Sequence, residues 1–179
     1  MSKAYRVLLG CVLGAALAAA PAYARDFGGR VVGIQDGDTV TVLDTSKQQH
    51  RIRIAGIDAP EKAQAFGAAA KENLARLAFG QQADVRCSKR DRYGREVCNV
   101  YVEARDVGLE QVRSGHAWWY REYAREQAPE DRKVYETAES EARGARRGLW
   151  HDASPTAPWD WRRQARSASQ AGTRAGGRT

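Results

Sequence analysis

The sequence predicts an α+β fold with a mainly β core, a small five-stranded barrel carrying about three helices. Two observations point there. Short runs with apolar residues at period two, separated by turn-forming residues, occupy the first third of the chain and return near its middle. Segments with helical period lie between and after them, and the length suffices for one domain with a core.

In chain order, GRVVGIQ, DTVTVLD and HRIRIAGI fall between residues 28 and 57. Val40 with Val42, and Ile52 with Ile54, keep period two, so these runs read as three antiparallel strands. Phe66, Ala70, Leu74 and Leu77 then share one helical stripe, which Gly80 stops. ADVRC and EVCNVYV, joined by SKRDRYGR, give two more strands. A short helix near VGLEQVRSG follows, then the aromatic stretch HAWWYREY, then a long helix from about Pro129 to Arg147. In that helix Val134, Ala138, Ala142, Ala145 and Leu149 recur at three to four residues, and Gly148 ends it. Three strands, a helix, two strands and further helices make the order of a Greek-key barrel of the oligonucleotide-binding (OB) type. Periodicity leaves closure of the barrel open.

The two ends read differently. MSKAYR is basic, VLLGCVLGAALAAA is apolar, and Ala22, Tyr23 and Ala24 form a small-x-small cleavage site, the pattern of a secretory signal over residues 1 to 24. The expected location is therefore the periplasm or the exterior, with the mature chain starting near Arg25. The competing reading, a lipidated Cys11 in LLGC, would leave VLGAALAAA exposed on the mature protein. Residues 25 to 150 read as the folded domain, without a further apolar run able to span a bilayer. In residues 151 to 179, HDASPTAPWDWRR reads as an extended Pro/Trp strap and QARSASQAGTRAGGRT as a disordered basic tail. Residues 162 to 179 hold five arginines and no acid, which suits attraction to phosphates or plain solubility equally. The formal net charge of +7 falls by two when Lys3 and Arg6 leave with the signal. A basic exported domain is compatible with an acidic partner such as nucleic acid, but charge alone does not select one. A monomer is the default expectation.

With Cys11 gone, Cys87 and Cys98 remain. Cys87 shares strand parity with Ala83 and Val85, and Cys98 with Val100 and Val102. If Arg92 and Tyr93 make a two-residue loop, the two cysteines face each other across the hairpin, and in an oxidising compartment a disulfide is the preferred reading. A glycine bulge at Gly94 would shift that register by one and leave two buried thiols. His50, His116 and His151 have no ligand-like neighbours in the sequence, which points away from zinc.

Three segments carry chemistry. DGDTV puts Asp36 and Asp38 around a glycine at the start of the second strand. RIRIAGIDAPE puts Arg53 in the third strand, with parity opposite to Ile52 and Ile54, and Asp58 and Glu61 just after it. DRYGR puts Arg95 at the foot of the hairpin. Singly, each has a plain explanation: a tight Asp-Gly turn, a turn before Ala-Pro, an acid at a helix N-terminus, a solvated strand end. Together, in this order and at these separations, the segments resemble the signature segments of the staphylococcal (micrococcal) nuclease family, the thermonuclease-like proteins. The resemblance covers roughly residues 27 to 150, and PWDWRR resembles an extension common in secreted bacterial members.

The resemblance implies an OB barrel with three helices and a specific site. Asp38 and Asp58 match the carboxylates that hold the family's single Ca2+, the backbone carbonyl of Ala59 completes the protein ligands, and Asp36 matches an acid behind them. Hard oxygen donors from separate loops suit calcium. Glu61 matches the glutamate that activates or orients the attacking water. Arg53 and Arg95 match the two arginines that grip the scissile phosphate, a task for a planar fork that stays charged. Arg92 stands where a lysine helps bind a terminal phosphate, Tyr93 beside it is retained, and Tyr120 in AWWYREY is a candidate for stacking a base. Trp118, Trp119 and Tyr123 offer the same, core packing of the tryptophans being an equal alternative. Ala59 replaces a threonine, and EKAQAFG is shorter than the long loop of the best-known member. The implied function is a secreted, calcium-dependent endonuclease. It cuts DNA and RNA, single-stranded or denatured by preference, with little sequence specificity, and leaves 3′-phosphates. The alternative is an OB-fold module that binds single-stranded nucleic acid without cutting it. Clustered carboxylates that repel phosphate argue against that alternative.

Overall fold

A computed structural model describes residues 24–176, with side chains through residue 170. The signal read over residues 1 to 24, Cys11 included, lies outside the described residues apart from Ala24. In chain order the elements are β1 (Arg25–Ile34), β2 (Thr39–Asp44), β3 (Gln49–Ile54), β4 (Ile57–Asp58), α1 (Gly67–Ala78), β5 (Gln82–Arg90), β6 (Glu96–Val102), β7 (Arg105–Asp106), α2 (Val107–Arg113), β8 (Trp118–Trp119), α3 (Pro129–Gly144) and α4 (Pro158–Gly176). Short 3-10 turns occupy Arg121–Glu126 and Gly148–His151.

β1, β2 and β3 form an antiparallel meander, β5 pairs with β1, β6 pairs with β5, and β6 runs parallel to β3 to close a five-stranded mixed barrel. The fold is thus α+β with an OB-type barrel. β1 serves two partners, and Gly29 lies where they overlap, opposite both Asp44 and Ala83. A Cβ there would stand 2.6 Å from the Leu43 carbonyl oxygen, so only glycine lets β2 approach. A bulge between Val31 and Gly33 bends the same strand. Val31, Val40, Val42, Ile52, Ile54, Val85 and Val100 fill the interior, each exposed by 1% or less. Ala70 and Leu74 of α1 join that core, as their spacing predicts, and Ala78 joins them; Leu77 packs against it only partly buried, and Phe66 packs against a second cluster.

Two helical expectations change. α3 ends at Gly144, short of Gly148, because Arg146 takes a left-handed φ of 52°. Its buried face carries Tyr135, Ala138, Glu139 and Ala142, while Val134 is exposed. The inward polar groups have partners: the Tyr135 hydroxyl donates to Asp106 Oδ2 (2.8 Å), and Glu139 accepts from the Trp119 backbone N–H (3.1 Å) and Arg121 (2.7 Å). Residues 152–157 of the segment read as an extended strap are non-helical, but from Pro158 to Gly176 the strap and the tail read as disordered are instead α4. Pro158 is tolerated in a first turn, Asp160 complements the N-terminal dipole, and the alanines, arginines and glutamines that follow are good helix formers. Burial of Trp118, Ala142, Leu149, Trp150 and Ala157, with Trp159 packed against them, ties its start to the domain.

Cys87 and Cys98 are disulfide-bonded. Both register arguments hold at once. Beside the turn Arg90 opposes Glu96 and Lys89 opposes Val97, the one-residue shift a glycine bulge produces, and a second irregularity between Cys87 and Lys89 restores the pairing of the cysteines. No helix among the described residues is long and apolar enough to cross a membrane.

His50 is buried between Asp44 and Glu96, with Nε2 3.0 Å from Asp44 Oδ2 and Nδ1 3.1 Å from Glu96 Oε2. The hydrogen bond from His50 holds the Asp44 carboxyl down to about 2, below its ordinary 3.8. A carboxyl depressed on folding stabilises the native state above its unfolded pKa and loses that contribution as pH falls through the folded one. The urea midpoint of the wild type should therefore drop between about pH 4 and pH 2, whereas His50→Gln should start lower at about pH 6 and lose less across that window. Urea titrations at those pH values followed by circular dichroism check this.

Candidate functional site

The acidic loop between β1 and β2 is fixed by packing before any charge is considered. A Cβ at Gly37 would lie 2.6 Å from the Ala59 Cβ and 2.7 Å from the Ala70 Cβ, so glycine there serves close approach to α1 and to the chain beyond β4. Gln111, fully buried on α2, donates from Nε2 to the carbonyls of Gly37 (2.7 Å) and Ala70 (3.0 Å) and accepts from Asn73 Nδ2. The loop is thereby clamped to two helices, and Asp36 and Asp38 project from it in fixed register.

Asp36 Oδ1 accepts from the Asp38 backbone N–H (3.1 Å). Asp38 Oδ1 accepts from the Thr39 hydroxyl (3.1 Å), and its Oδ2 accepts from the Ala59 backbone N–H (2.9 Å) and lies 3.2 Å from Arg53 Nη2. The same Nη2 donates to Asp58 Oδ1 (3.0 Å), while Nη1 donates to the carbonyls of Ile54 and Ile57 (2.8 Å each). One guanidinium nitrogen thus bridges Asp38 and Asp58, and Arg53 points off the barrel's apolar side as its parity predicts. Asp58 is held in β4 by pairing with Trp118 of β8. Burial pushes its carboxyl above the ordinary range, with Arg162 and Arg53 pulling the other way. Burial and the neighbouring Asp38 charge likewise raise Asp36.

On the other side of the site, Arg95 donates from Nε to Asp91 Oδ2 (2.7 Å), and its Nη1 reaches Thr39 Oγ1 (3.3 Å). Asp91 also accepts from the backbone N–H groups of Tyr93 and Arg95, closing the hairpin loop. Burial raises the Asp91 carboxyl, but the hydrogen bonds from Arg95 and Tyr93 outweigh it and hold the group below its ordinary value. Tyr93 is exposed, with the guanidinium carbons of Arg92 and Arg95 at 4.9 Å and 5.5 Å from its ring centre. Tyr120, expected to stack a base, instead has its ring stacked on Trp159 (5.4 Å, 4°). Trp118 and Trp119 are buried, the core alternative of the sequence reading.

Sequence reasoning missed Arg162. From α4 its Nη2 donates to Asp58 Oδ2 (2.7 Å), and its Nη1 donates to Glu61 Oε1 (2.7 Å) and Asp58 Oδ1 (3.2 Å). Burial works against its charge, but Asp58 and Glu61 more than offset that and raise its pKa. The signal available was the Trp159–Trp161 flank, apolar anchors in an otherwise polar segment. Thr39, Asp91 and Gln111 were missed as well, each a common polar residue whose partners are distant in sequence or set by a turn.

Among the described residues no group of three or more His, Cys, Asp or Glu side chains is arranged to hold a metal ion. Two carboxylates and the Ala59 carbonyl are nonetheless hard oxygen donors from separate segments. That set fits a hard divalent cation completed by water, not a closed protein cage. The site therefore joins carboxylates that favour a cation to guanidiniums, Arg53 and Arg95, that favour an anion.

The family profile described as "Staphylococcal nuclease homologue" matches residues 51–152, which include Arg53, Asp58, Glu61 and Arg95. The chain is 43% identical over 158 residues to "Micrococcal nuclease" of Shigella flexneri, covering 83% of this chain and 87% of that protein. It is 41% identical over 163 residues to "Protein ParB" of Escherichia coli, covering 86% and 89% respectively. To an "Uncharacterized endonuclease" of Haemophilus influenzae it is 38% identical over 135 residues, covering 75% and 72%.

Gln111→Leu removes the clamp on the acidic loop while keeping volume. The expected cost is about 1–3 kcal/mol, the usual range for stranding buried polar partners. Urea unfolding measures it, and amide shifts confined to residues 36–39 and the facing helices would locate the loosening.

Proposed function

Because the chain belongs to the staphylococcal nuclease family, we propose that it is an exported, monomeric endonuclease that uses a divalent cation, calcium, to hydrolyse phosphodiester bonds in DNA and RNA. The observation that carries this reading is the convergence of Asp38 and Asp58 on one nitrogen of Arg53, with Glu61 and Arg95 tied into the same network. A protein that only bound nucleic acid would gain nothing from carboxylates gathered where phosphate must approach.

Asp38, Asp58 and the Ala59 carbonyl would hold the cation, which when bound neutralises phosphate charge and orients water. The remaining work falls to the chain. Arg95 donates from its terminal nitrogens, and Arg53 from Nε, the N–H that its carbonyl and carboxylate partners leave over, to the non-bridging oxygens of the scissile phosphate, whose charge grows as the transition state forms. Asp91 fixes Arg95 through Nε, so the fork loses little freedom when phosphate arrives. Glu61 takes a proton from the water that attacks phosphorus. The bond to the 5′ oxygen breaks, that oxygen takes a proton from solvent, and a 3′-phosphate remains. Arg92 and the exposed Tyr93 flank Arg95 and would contact the neighbouring nucleotide. Export to the periplasm or the medium suits both the disulfide and the N-terminal signal pattern.

Digestion of denatured DNA and of RNA by the purified mature chain should proceed with calcium, fail with chelator, and yield ends that need phosphatase treatment before 3′ extension. Glu61→Ala and Arg95→Ala should each lower kcat by about 10²–10⁴-fold with an unchanged melting temperature. A variant as active as wild type would remove that residue from the mechanism. Absence of cutting under every condition, with a retained gel shift, would replace the enzyme by a binding module.

A further inference from the structure

We propose that Arg162 is an internal counter-ion of the metal site, which a divalent cation must displace from Asp58, so that α4 sets the site's metal affinity. The proposal rests on the reading of Asp38 and Asp58 as metal ligands.

Asp58 is 2% exposed. A carboxylate offers about four lone-pair directions. Arg53 Nη2 and both terminal nitrogens of Arg162 engage three of them, and among the described residues Arg162 alone contacts Oδ2. Any cation held by Asp58 must therefore share an oxygen with a guanidinium or replace one. The two guanidiniums differ in how firmly they are held. Arg53 is 13% exposed and locked by two backbone carbonyls as well as by Asp38. Arg162 is 34% exposed, reaches in from outside the barrel, and among the described residues is held by Asp58 and Glu61 alone. Arg162 is the one that can leave.

Charge points the same way. Asp38 and Asp58 share Arg53, Asp36 lies beside Asp38 and Glu61 beside Arg162, so acids outnumber the guanidiniums here and Arg162 offsets part of the excess at Asp58 itself. Two like charges over one buried carboxylate repel strongly where the dielectric is low. The contact is built into the fold by more than one residue. Trp159, three residues before Arg162, stacks on Tyr120 and sits edge-on to Trp118 at 5.5 Å. Gln64, whose Oε1 accepts from the Glu61 backbone N–H, donates to the Thr156 carbonyl (2.6 Å), tying the approach to α4 to the segment that carries Glu61. These anchors hold α4 in place while the long Arg162 side chain swings, so the displaced guanidinium stays close enough to compete for return.

The test is calcium binding to the mature chain by titration calorimetry, comparing wild type, Arg162→Gln and Asp58→Asn. Arg162→Gln should bind calcium about tenfold more tightly, the effect of removing one competing, partly exposed ion pair. Asp58→Asn should lose binding. In the wild type, calcium should shift the Arg162 Nη–H resonances towards those of a solvated arginine and leave the Arg53 Nη–H resonances in their hydrogen-bonded position, a readout that needs no substitution. Equal or weaker calcium affinity in Arg162→Gln, or an unmoved Arg162 resonance at saturation, would overturn the proposal. The outcomes separate the two readings: binding abolished by Asp58→Asn but unchanged by Arg162→Gln removes only the role of Arg162. Absence of Asp58-dependent binding in wild type and Arg162→Gln alike removes the metal site itself.

Discussion

Arg53 Nη2 stands 3.2 Å from a carboxylate oxygen of Asp38 and 3.0 Å from one of Asp58. Brought together in a poorly solvated place without that nitrogen, the two acids would repel each other and take up protons. The guanidinium can stand there only because its strand has a neighbour on each side. Arg53 lies opposite Thr39 on β2 and Val97 on β6, and the second of these pairings is the one that closes the barrel. Closure also brings the β5–β6 hairpin round to β2, so that Arg95 reaches Thr39, whose hydroxyl donates to Asp38. The seam of the barrel and the assembly of the site are one event.

Neutral polar residues complete the arrangement without carrying charge into it. Gln111 holds the Gly37 carbonyl from beneath, and Thr39 links Asp38 to Arg95. Asp91 is the exception, an acid spent on orienting Arg95 at the hairpin foot. Each acts through another residue, and each supports a segment whose sequence is otherwise read as loop. The acidic loop, the turn after β4 and the hairpin foot are therefore rigid where they meet.

Much of this was legible in the sequence because it followed from local rules. Period two placed the interior valines and isoleucines, opposite parity turned Arg53 away from them, and the two competing register arguments for Cys87 and Cys98 each described one half of the hairpin. The misreadings share a cause. Tyr135 and Glu139 take the inner face of α3 because they have partners on other elements, which an apolar stripe cannot reveal. Gln111 and Arg162 are polar residues made important by contacts 74 and more than 100 positions away. For α4, composition argued disorder, whereas helix propensity and the packing of Trp159 near its start decided the outcome.

The disulfide crosses a single hairpin, between neighbours 11 positions apart. Its tip carries Arg92 and an exposed Tyr93, an obvious target for trypsin-like proteases outside a cell. A cut at that tip would leave Arg95 on the downstream piece and Arg53 on the upstream one. Because Cys87 lies before the tip and Cys98 after it, the two pieces would remain covalently joined, with β5 and β6 still paired beyond the break. One cleavage there would thus leave Arg53 and Arg95 in a single covalent molecule.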